Sequence, residues 1–182
     1  MVAYSGKAQP YLDAFAAAFF EAAEFRDWVL SGTQAAAEYT GADVLHDEQR
    51  AVRWAKKPTK QPFWANYWCG KDSKCTCRVD GSKGLESDAI FFLRNDAGRV
   101  LAVHLEFKHR GESFGFGQAQ SYPLRAACFA RTHAERKTVN AHDDWVCIVL
   151  CGSDAKVDPQ LKHFDRAIFH EDVRERYQAF PK

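Results

Sequence analysis

Three residues in the middle of the chain carry groups that can hold a divalent cation and activate water. Asp88 opens the stretch DAIFFLR, and Glu106 and Lys108 end the stretch VLAVHLEFK. Mg²⁺ takes oxygen ligands and keeps several waters, so two carboxylates and the carbonyl of Phe107 make a suitable site. Such a metal polarises a phosphoryl oxygen and acidifies bound water, while a lysine stabilises developing negative charge. These residue types suit phosphodiester hydrolysis, with Mg²⁺ or Mn²⁺ as the expected cofactor.

A β-hairpin is predicted to bring these residues together. The stretches 88–94 and 100–108 have the length and composition of strands. Gly98 between them suits the left-handed position of a three-residue turn, which fixes the register. The facing pairs are then Asp88 with Glu106 and Glu86 with Lys108. Facing Cβ atoms lie about 5 Å apart, so the two carboxylates repel each other unless a cation sits between them.

Alternation along the second strand separates a core face from a site face. The core face is expected to carry Leu101, Val103, Leu105 and Phe107, and the site face Ala102, His104, Glu106 and Lys108. Other interpretations of these residues stay open. The charged residues can form a structural ion network. Glu86 can be a further ligand or a salt-bridge partner of Lys108, and His104 can contact substrate or pack within the sheet.

The order of Asp88 and then Glu106-Phe-Lys108 at the end of the next strand resembles the signature of the PD-(D/E)XK nuclease superfamily. Ser87 stands where the proline of that name would be, a position that varies among such proteins. The resemblance implies a restriction-endonuclease-like sandwich and a metal-dependent nuclease. It assigns metal binding to Asp88, Glu106 and the Phe107 carbonyl, and assistance of the attacking water to Lys108.

A second motif lies downstream, where Gln118-Ala-Gln-Ser-Tyr122 resembles the Q-x-x-x-Y helix element of the lambda-exonuclease and RecB-nuclease branch. The resemblance implies that Gln118 and Tyr122 face the site one helical turn apart. It also implies a glutamate on a helix before the hairpin, for which Glu24 is preferred to Glu21. The alternatives are ordinary helix-surface roles for all of these residues.

Helices and strands around the hairpin follow from periodicity and stop signals. One amphipathic helix is expected over 11–30, a second from Thr33 to about Gly41, a third beginning between 117 and 121, and a last one between 159 and 177. A very apolar strand, WVCIVLC, precedes the last helix. This order predicts an α/β fold with a central mixed sheet of four to five strands flanked by helices.

The segment 46–80 is predicted to be a basic and aromatic insertion, largely loop or short helix. From Arg50 to Arg78 it holds eight basic residues and one acidic residue, Asp72. Its aromatic side chains can stack on bases while its lysines neutralise phosphates, or they can pack as a lid. The aromatic residues concerned are Trp54, Phe63, Trp64, Tyr67 and Trp68.

Cysteines cluster within this segment at Cys69, Cys75 and Cys77. Three thiolates can bind zinc, or an iron–sulfur cluster as in some nucleases of the branch that the chain resembles. Their spacing is not that of a usual zinc knuckle, and His46 is the one candidate for a fourth ligand. Without a secretory signal, reduced thiols are expected rather than disulfides.

The composition is that of an ordinary globular protein of one domain, spanning 1–182. With 46% hydrophobic and 27% charged residues and a net charge of +1, the chain lacks a strongly basic coat, although a local patch is compatible with it. No apolar stretch reaches the length of a membrane span, and no signal-like segment is seen, so a cytoplasmic location without membrane partners is expected.

The expected partner is nucleic acid, DNA rather than RNA, as in mobile-element, repair or defence systems. A catalytic unit this small often dimerises to cut both strands, so a homodimer is a further expectation. The alternative is a non-catalytic module of the same fold that binds nucleic acid or a protein partner. The modest net charge of the chain favours this alternative.

Overall fold

A mixed six-stranded β-sheet runs through the part of the chain that the computed structural model describes: residues 6–55, 57–69, 77–82, 86–132 and 138–182. The strands are β1 (Asp43–Val44), β2 (Ala65–Trp68), β3 (Glu86–Arg94), β4 (Val100–Phe107), β5 (Asp144–Cys151) and β6 (Arg166–Phe169). Their order is β1-β3-β4-β5-β6, and β2 pairs with the other half of β3 on the β1 side. The α/β class with a mixed sheet is confirmed. Six described strands exceed the four or five expected, because the short β1 and β2 both pair with β3.

Helices pack on both faces of this sheet. They are α1 (Gln9–Glu21), α2 (Ala23–Leu30), α3 (Ala36–Tyr39), α4 (His46–Arg53), α5 (Gln118–Thr132) and α6 (His170–Arg176). Buried side chains of α1, α2 and α6 share a core with one face of β3, β4 and β5, and α5 covers the other face. Among the described residues, no helix is long and apolar enough to cross a bilayer.

The β3–β4 hairpin has the predicted register and faces. Ala89 pairs with Leu105 and Arg94 with Val100, and Gly98 has the expected positive φ of 80°. The odd-numbered residues of β4 lie in the core beneath α1, while Ala102 packs on the side of α5. β5 then runs parallel to β4 and β6 parallel to β5, which places the carboxyl ends of all three strands at one edge.

The single helix predicted over 11–30 is divided in two. Ala22 takes an extended conformation, with φ −117° and ψ 114°, so α1 ends at Glu21 and α2 begins at Ala23. The Arg26 guanidinium donates hydrogen bonds to the carbonyls of Phe19 and Phe20, at 3.0 and 3.3 Å. These bonds satisfy carbonyls at the end of α1 and stabilise the break.

Two other helix predictions were too long. Thr33 does not cap a helix; its hydroxyl donates to the Leu30 carbonyl at 2.7 Å, and only the four residues of α3 are helical. The helix expected over 159–177 is instead a short 3₁₀ helix, strand β6 and α6. The reason is tertiary, since Asp165 bonds to both backbone groups of Cys147 and starts the pairing of β6 with β5.

The basic aromatic segment is packed more tightly than a loop. Phe63, Trp64 and Tyr67 are buried, so of the two alternatives, stacking on bases and packing, these three residues take the second. The Arg53 guanidinium lies 4.1 Å from the centre of the Tyr67 ring and donates to the carbonyl of Ala65. Strand β2 thus forms part of the core, and α4 is hydrogen-bonded to it through Arg53 and the buried Gln49. Trp54 and Trp68 are only partly buried.

The aromatic core under β3 makes a first prediction. Phe91 is fully buried and its ring centre lies 4.6 Å from that of Phe19 and 5.4 Å from that of Phe20. Phe91→Ala should lower the free energy of unfolding by about 3–5 kcal/mol, because it leaves a cavity. Urea titration measures this. Phe116→Ala is the control, since Phe116 is 75% exposed and its loss should change stability by no more than about 0.5 kcal/mol. Equal effects of the two would contradict this description of the core.

Candidate functional site

Asp88 and Glu106 meet at the open end of the β3–β4 hairpin. Asp88 is partly buried, and its Oδ2 accepts a hydrogen bond from the backbone N–H of Phe107 at 2.7 Å. Glu106, on the neighbouring strand, is only 3% exposed. The hairpin register alone brings the two carboxylates together, and the bond to Phe107 holds Asp88 beside the end of β4.

Three donors surround the Glu106 carboxylate. The Tyr122 hydroxyl donates to Oε2, and the Gln118 amide donates to Oε1 at 2.6 Å. The Lys108 ammonium lies 3.1 Å from the same Oε1. A buried carboxylate is costly unless it is paired and hydrogen-bonded, and here both oxygens have partners. The Gln118 and Tyr122 of the Q-x-x-x-Y motif therefore both contact the glutamate of the E-x-K motif.

Helix α5 carries Gln118 and Tyr122 and begins where the motif begins. Gly117 has φ 67°, and a Cβ there would lie 2.9 Å from the Ser82 Cβ, so glycine permits both the turn and the close approach. Gln118 itself is oriented by its Oε1, which accepts from Lys108 Nζ and from Gly115 N–H, both at 3.0 Å. Pro123 lies inside α5 without ending it.

Lys108 is buried within this cluster, with 4% exposure. Besides Glu106 and Gln118, its ammonium contacts Glu112 Oε1 at 3.5 Å and lies 5.3 Å from the centre of the Phe114 ring. Burial lowers the pKa of Lys108, but attraction to Glu106 and Glu112 outweighs it, so the pKa is raised and the side chain stays cationic. No ion pair joins Lys108 to Glu86 among the described residues; the sequence-based salt bridge is replaced by the pair with Glu106.

Negative charge accumulates on the strand ends. Burial, and then repulsion from Glu106, raises the pKa of Glu86 to about 7 and that of Asp88 well above its ordinary value. Asp88, Glu106 and the carbonyl of Phe107 form an oxygen donor set of the kind that hard divalent cations prefer, and Glu86 is near enough to interact with Glu106. Such a cation would relieve the repulsion from Glu106 that, after burial, raises the pKa values of Glu86 and Asp88.

Two residues of the site escaped the sequence analysis. Arg125 is almost fully buried, donates to the Ser87 hydroxyl at 3.3 Å and lies 4.2 Å from the centre of the Tyr122 ring. Arg125 lies one helical turn after Tyr122, and this spacing could have indicated that it is on the same side of α5. Glu112 accepts from the backbone N–H of His109 at 3.0 Å as well as from Lys108, and no motif pointed to it.

Among the described residues, no hydrogen bond or ion pair joins the other candidates to Asp88, Glu106 or Lys108. Glu24 borders a cleft between α2 and the end of α6, with Trp28 and Arg176 among its neighbours. Glu21 is an exposed residue at the end of α1. His104 is completely buried, lies 3.2 Å from Ser87 Oγ through its Nδ1, and has a pKa well below the ordinary value because of burial. Burial excludes it from contact with a substrate.

The described part of the cysteine cluster includes a member that was not predicted. Cys69 and Cys77 are close together, Cys75 lies outside the described residues, and the third member is Cys128 from α5. His46 is not part of it; its ring contacts Phe20 and Phe63, and its Nδ1 pairs with Asp47. The separate Cys147 and Cys151 are buried in β5, as expected of packing residues.

The raised pKa of Glu86 predicts an unusual pH dependence of the metal-free protein. Between the ordinary pKa of 4.5 and about 7, the unfolded chain has lost a proton that the folded chain keeps, so stability should fall as pH rises. Glu86→Gln has no carboxyl group to titrate at this position, so it should not lose stability in this way. The free energy of unfolding of Glu86→Gln, relative to wild type, should therefore rise by on the order of 1 kcal/mol from about pH 4.5 to about pH 8. The difference is no larger because solvent screens a half-exposed charge.

Urea unfolding in EDTA at the two pH values measures this difference. Glu48→Gln is the matched control, because Arg94 lowers the pKa of Glu48 and its removal should destabilise the protein more at the higher pH. A difference between Glu86→Gln and wild type that does not change with pH would contradict the prediction.

No similar protein of known function indicates what this site does. Comparisons of the chain with protein-family models, with curated proteins and with solved structures found no match. A function is therefore to be argued from what the chain places together: two facing carboxylates, a buried lysine, and a helix that donates two hydrogen bonds to one of those carboxylates.

Proposed function

We propose that this protein is a metal-dependent nuclease of the PD-(D/E)XK type that hydrolyses phosphodiester bonds of DNA. The observation that carries the proposal is the convergence on Glu106 of Lys108 from β4 and of Gln118 and Tyr122 from α5, with Asp88 across the hairpin. Two independently recognised motifs thus share one carboxylate. The mixed sheet with helices on both faces is compatible with a restriction-endonuclease-like sandwich.

Each side chain has a distinct role in the proposed reaction. Asp88, Glu106 and the Phe107 carbonyl would hold Mg²⁺ or Mn²⁺, which supplies Lewis acidity and an acidified water. Lys108, kept cationic, stabilises the charge that develops on the phosphoryl oxygens or orients the attacking water. Gln118 and Tyr122 position Glu106 by hydrogen bonds to its two oxygens.

Basic residues outside the site support a nucleic-acid substrate. Arg50, Lys57 and Lys60 are exposed and belong to the basic segment from Arg50 to Arg78. Exposed lysine and arginine side chains neutralise backbone phosphates without reading sequence. They would offset part of the repulsion between an anionic strand and the carboxylates of the protein.

Lys108→Met should reduce cleavage by about 100-fold or more, because it removes the cation that stabilises developing charge while keeping an apolar side chain in the pocket. The assay uses supercoiled plasmid, linear duplex, single-stranded circles and RNA, each with Mg²⁺, Mn²⁺ or EDTA. Lys162→Met, which changes an exposed lysine of the 3₁₀ helix Pro159–His163, is the matched control and should cleave like wild type. Undiminished cleavage by Lys108→Met would refute the mechanism, and cleavage of RNA alone would refute the choice of DNA.

Glu106→Gln tests the metal site separately from the chemistry. The amide keeps the shape of the side chain but removes a charge from the donor set, so Mn²⁺ affinity should fall by about tenfold or more and cleavage with it. Isothermal calorimetry with Mn²⁺ measures the affinity, and circular dichroism checks the fold. Glu48→Gln, a surface carboxylate paired with Arg94, should bind Mn²⁺ like wild type. If wild type binds no Mn²⁺ and cuts no substrate, the non-catalytic binding module replaces the nuclease.

A further inference from the structure

Three cysteine side chains from distant parts of the chain meet on the α5 side of the sheet. Cys69 follows β2, Cys77 lies eight residues later, and Cys128 is on α5. Their sulfur atoms all lie within 4.8 Å of one another, with 3.1 Å between those of Cys69 and Cys77 and 3.5 Å between those of Cys69 and Cys128. All three are buried.

The distances between the sulfur atoms can be compared with those expected for a disulfide and for a zinc site. A disulfide needs a sulfur–sulfur distance of about 2.05 Å, which the closest pair exceeds by a wide margin. Sulfurs at about 2.3 Å from a tetrahedral zinc ion lie about 3.8 Å apart. This value falls within the range of the cluster, in which two sulfurs are 3.1 Å apart and all three lie within 4.8 Å of one another. Cys147 and Cys151 are also buried but belong to no such group among the described residues. Among the described residues, this is the one group of three or more potential ligands found so close together.

We propose that Cys69, Cys77 and Cys128 bind a zinc ion as thiolates. Thiolate sulfur is a soft ligand suited to zinc, and the ion would stabilise the negative charge of the three sulfurs in apolar surroundings that include Phe92 and Phe129. Binding releases the thiol protons to solvent. No fourth described histidine, cysteine or carboxylate comes as near, so the described chain supplies three ligands.

The role of this zinc would be structural and is independent of the proposed nuclease activity. Cys69 and Cys77 flank the connection that follows β2, whereas Cys128 belongs to the helix that covers the sheet. Zinc would therefore link Cys69, which directly follows β2, and Cys77 to α5. Because an unfolded chain does not present the three sulfurs together, the binding free energy would add to the stability of the folded state.

Elemental analysis of the full chain, purified without chelators, tests the proposal. Wild type should contain about one zinc ion per chain, as a single site built on these three thiolates requires. Cys128→Ser should lose at least about nine-tenths of this zinc, because serine is a poor ligand for it. Cys147→Ser is the matched control, a buried cysteine outside the cluster, and should keep its zinc. Retention of zinc by Cys128→Ser would overturn the assignment, as would iron in place of zinc or no metal at all.

A second measurement on wild type guards against misfolding of the variant. After removal of the bound metal, Co²⁺ should produce an intense thiolate-to-metal charge-transfer absorption, and added Zn²⁺ should abolish it by displacement. Thiol-alkylation mass spectrometry without reductant should show Cys69 and Cys77 as free thiols once zinc is removed. Absence of the charge-transfer absorption, or a disulfide between Cys69 and Cys77 in the protein as purified, would refute zinc binding.

Discussion

The burial of one charge, that of Glu106, constrains the arrangement of the β3–β4 hairpin and of α5. A carboxylate with 3% exposure has lost most of its water, and the protein must replace the hydrogen bonds. Lys108 can do so because it lies two residues further along the chain, on the same face of the sheet. Gln118 and Tyr122 can do so only if α5 crosses the sheet at this point. The position of α5 is therefore tied to the hydrogen bonding of a single side chain.

Much of this arrangement was accessible from local rules. The turn at Gly98 fixed the pairing of β3 with β4, and the alternation of β4 separated its core residues from Glu106 and Lys108. The spacing of Gln118 and Tyr122 placed them on one side of a helix. Each of these inferences depends on residues within a few positions of one another, where steric and hydrogen-bonding rules act directly.

The features that sequence reasoning missed depend on contacts between distant segments. Ala22 is extended because Arg26 satisfies carbonyls at the end of α1, and helical periodicity alone does not show this. Residues 166–169 form a strand because β5 offers them an edge. Cys128 joins Cys69 although 59 positions separate them. Periodicity in the sequence indicates which face of a segment is buried. It does not indicate which distant segment that face contacts.

Helix α5 connects the two candidate sites. Gln118, Tyr122, Arg125 and Cys128 recur at intervals of three and four residues, so they form one stripe that faces the sheet. Pro123 lies outside this stripe, and its missing N–H weakens the helix on the side that Glu106 does not contact. Gln118 and Cys128 are about 15 Å apart along the helix axis. Glu106 would hold the first turns of α5 by hydrogen bonds and zinc would hold a later one through Cys128, so the helix would have an anchor on each side of Pro123. A helix anchored at both ends keeps Gln118 and Tyr122 in place even though its interior lacks one backbone hydrogen bond.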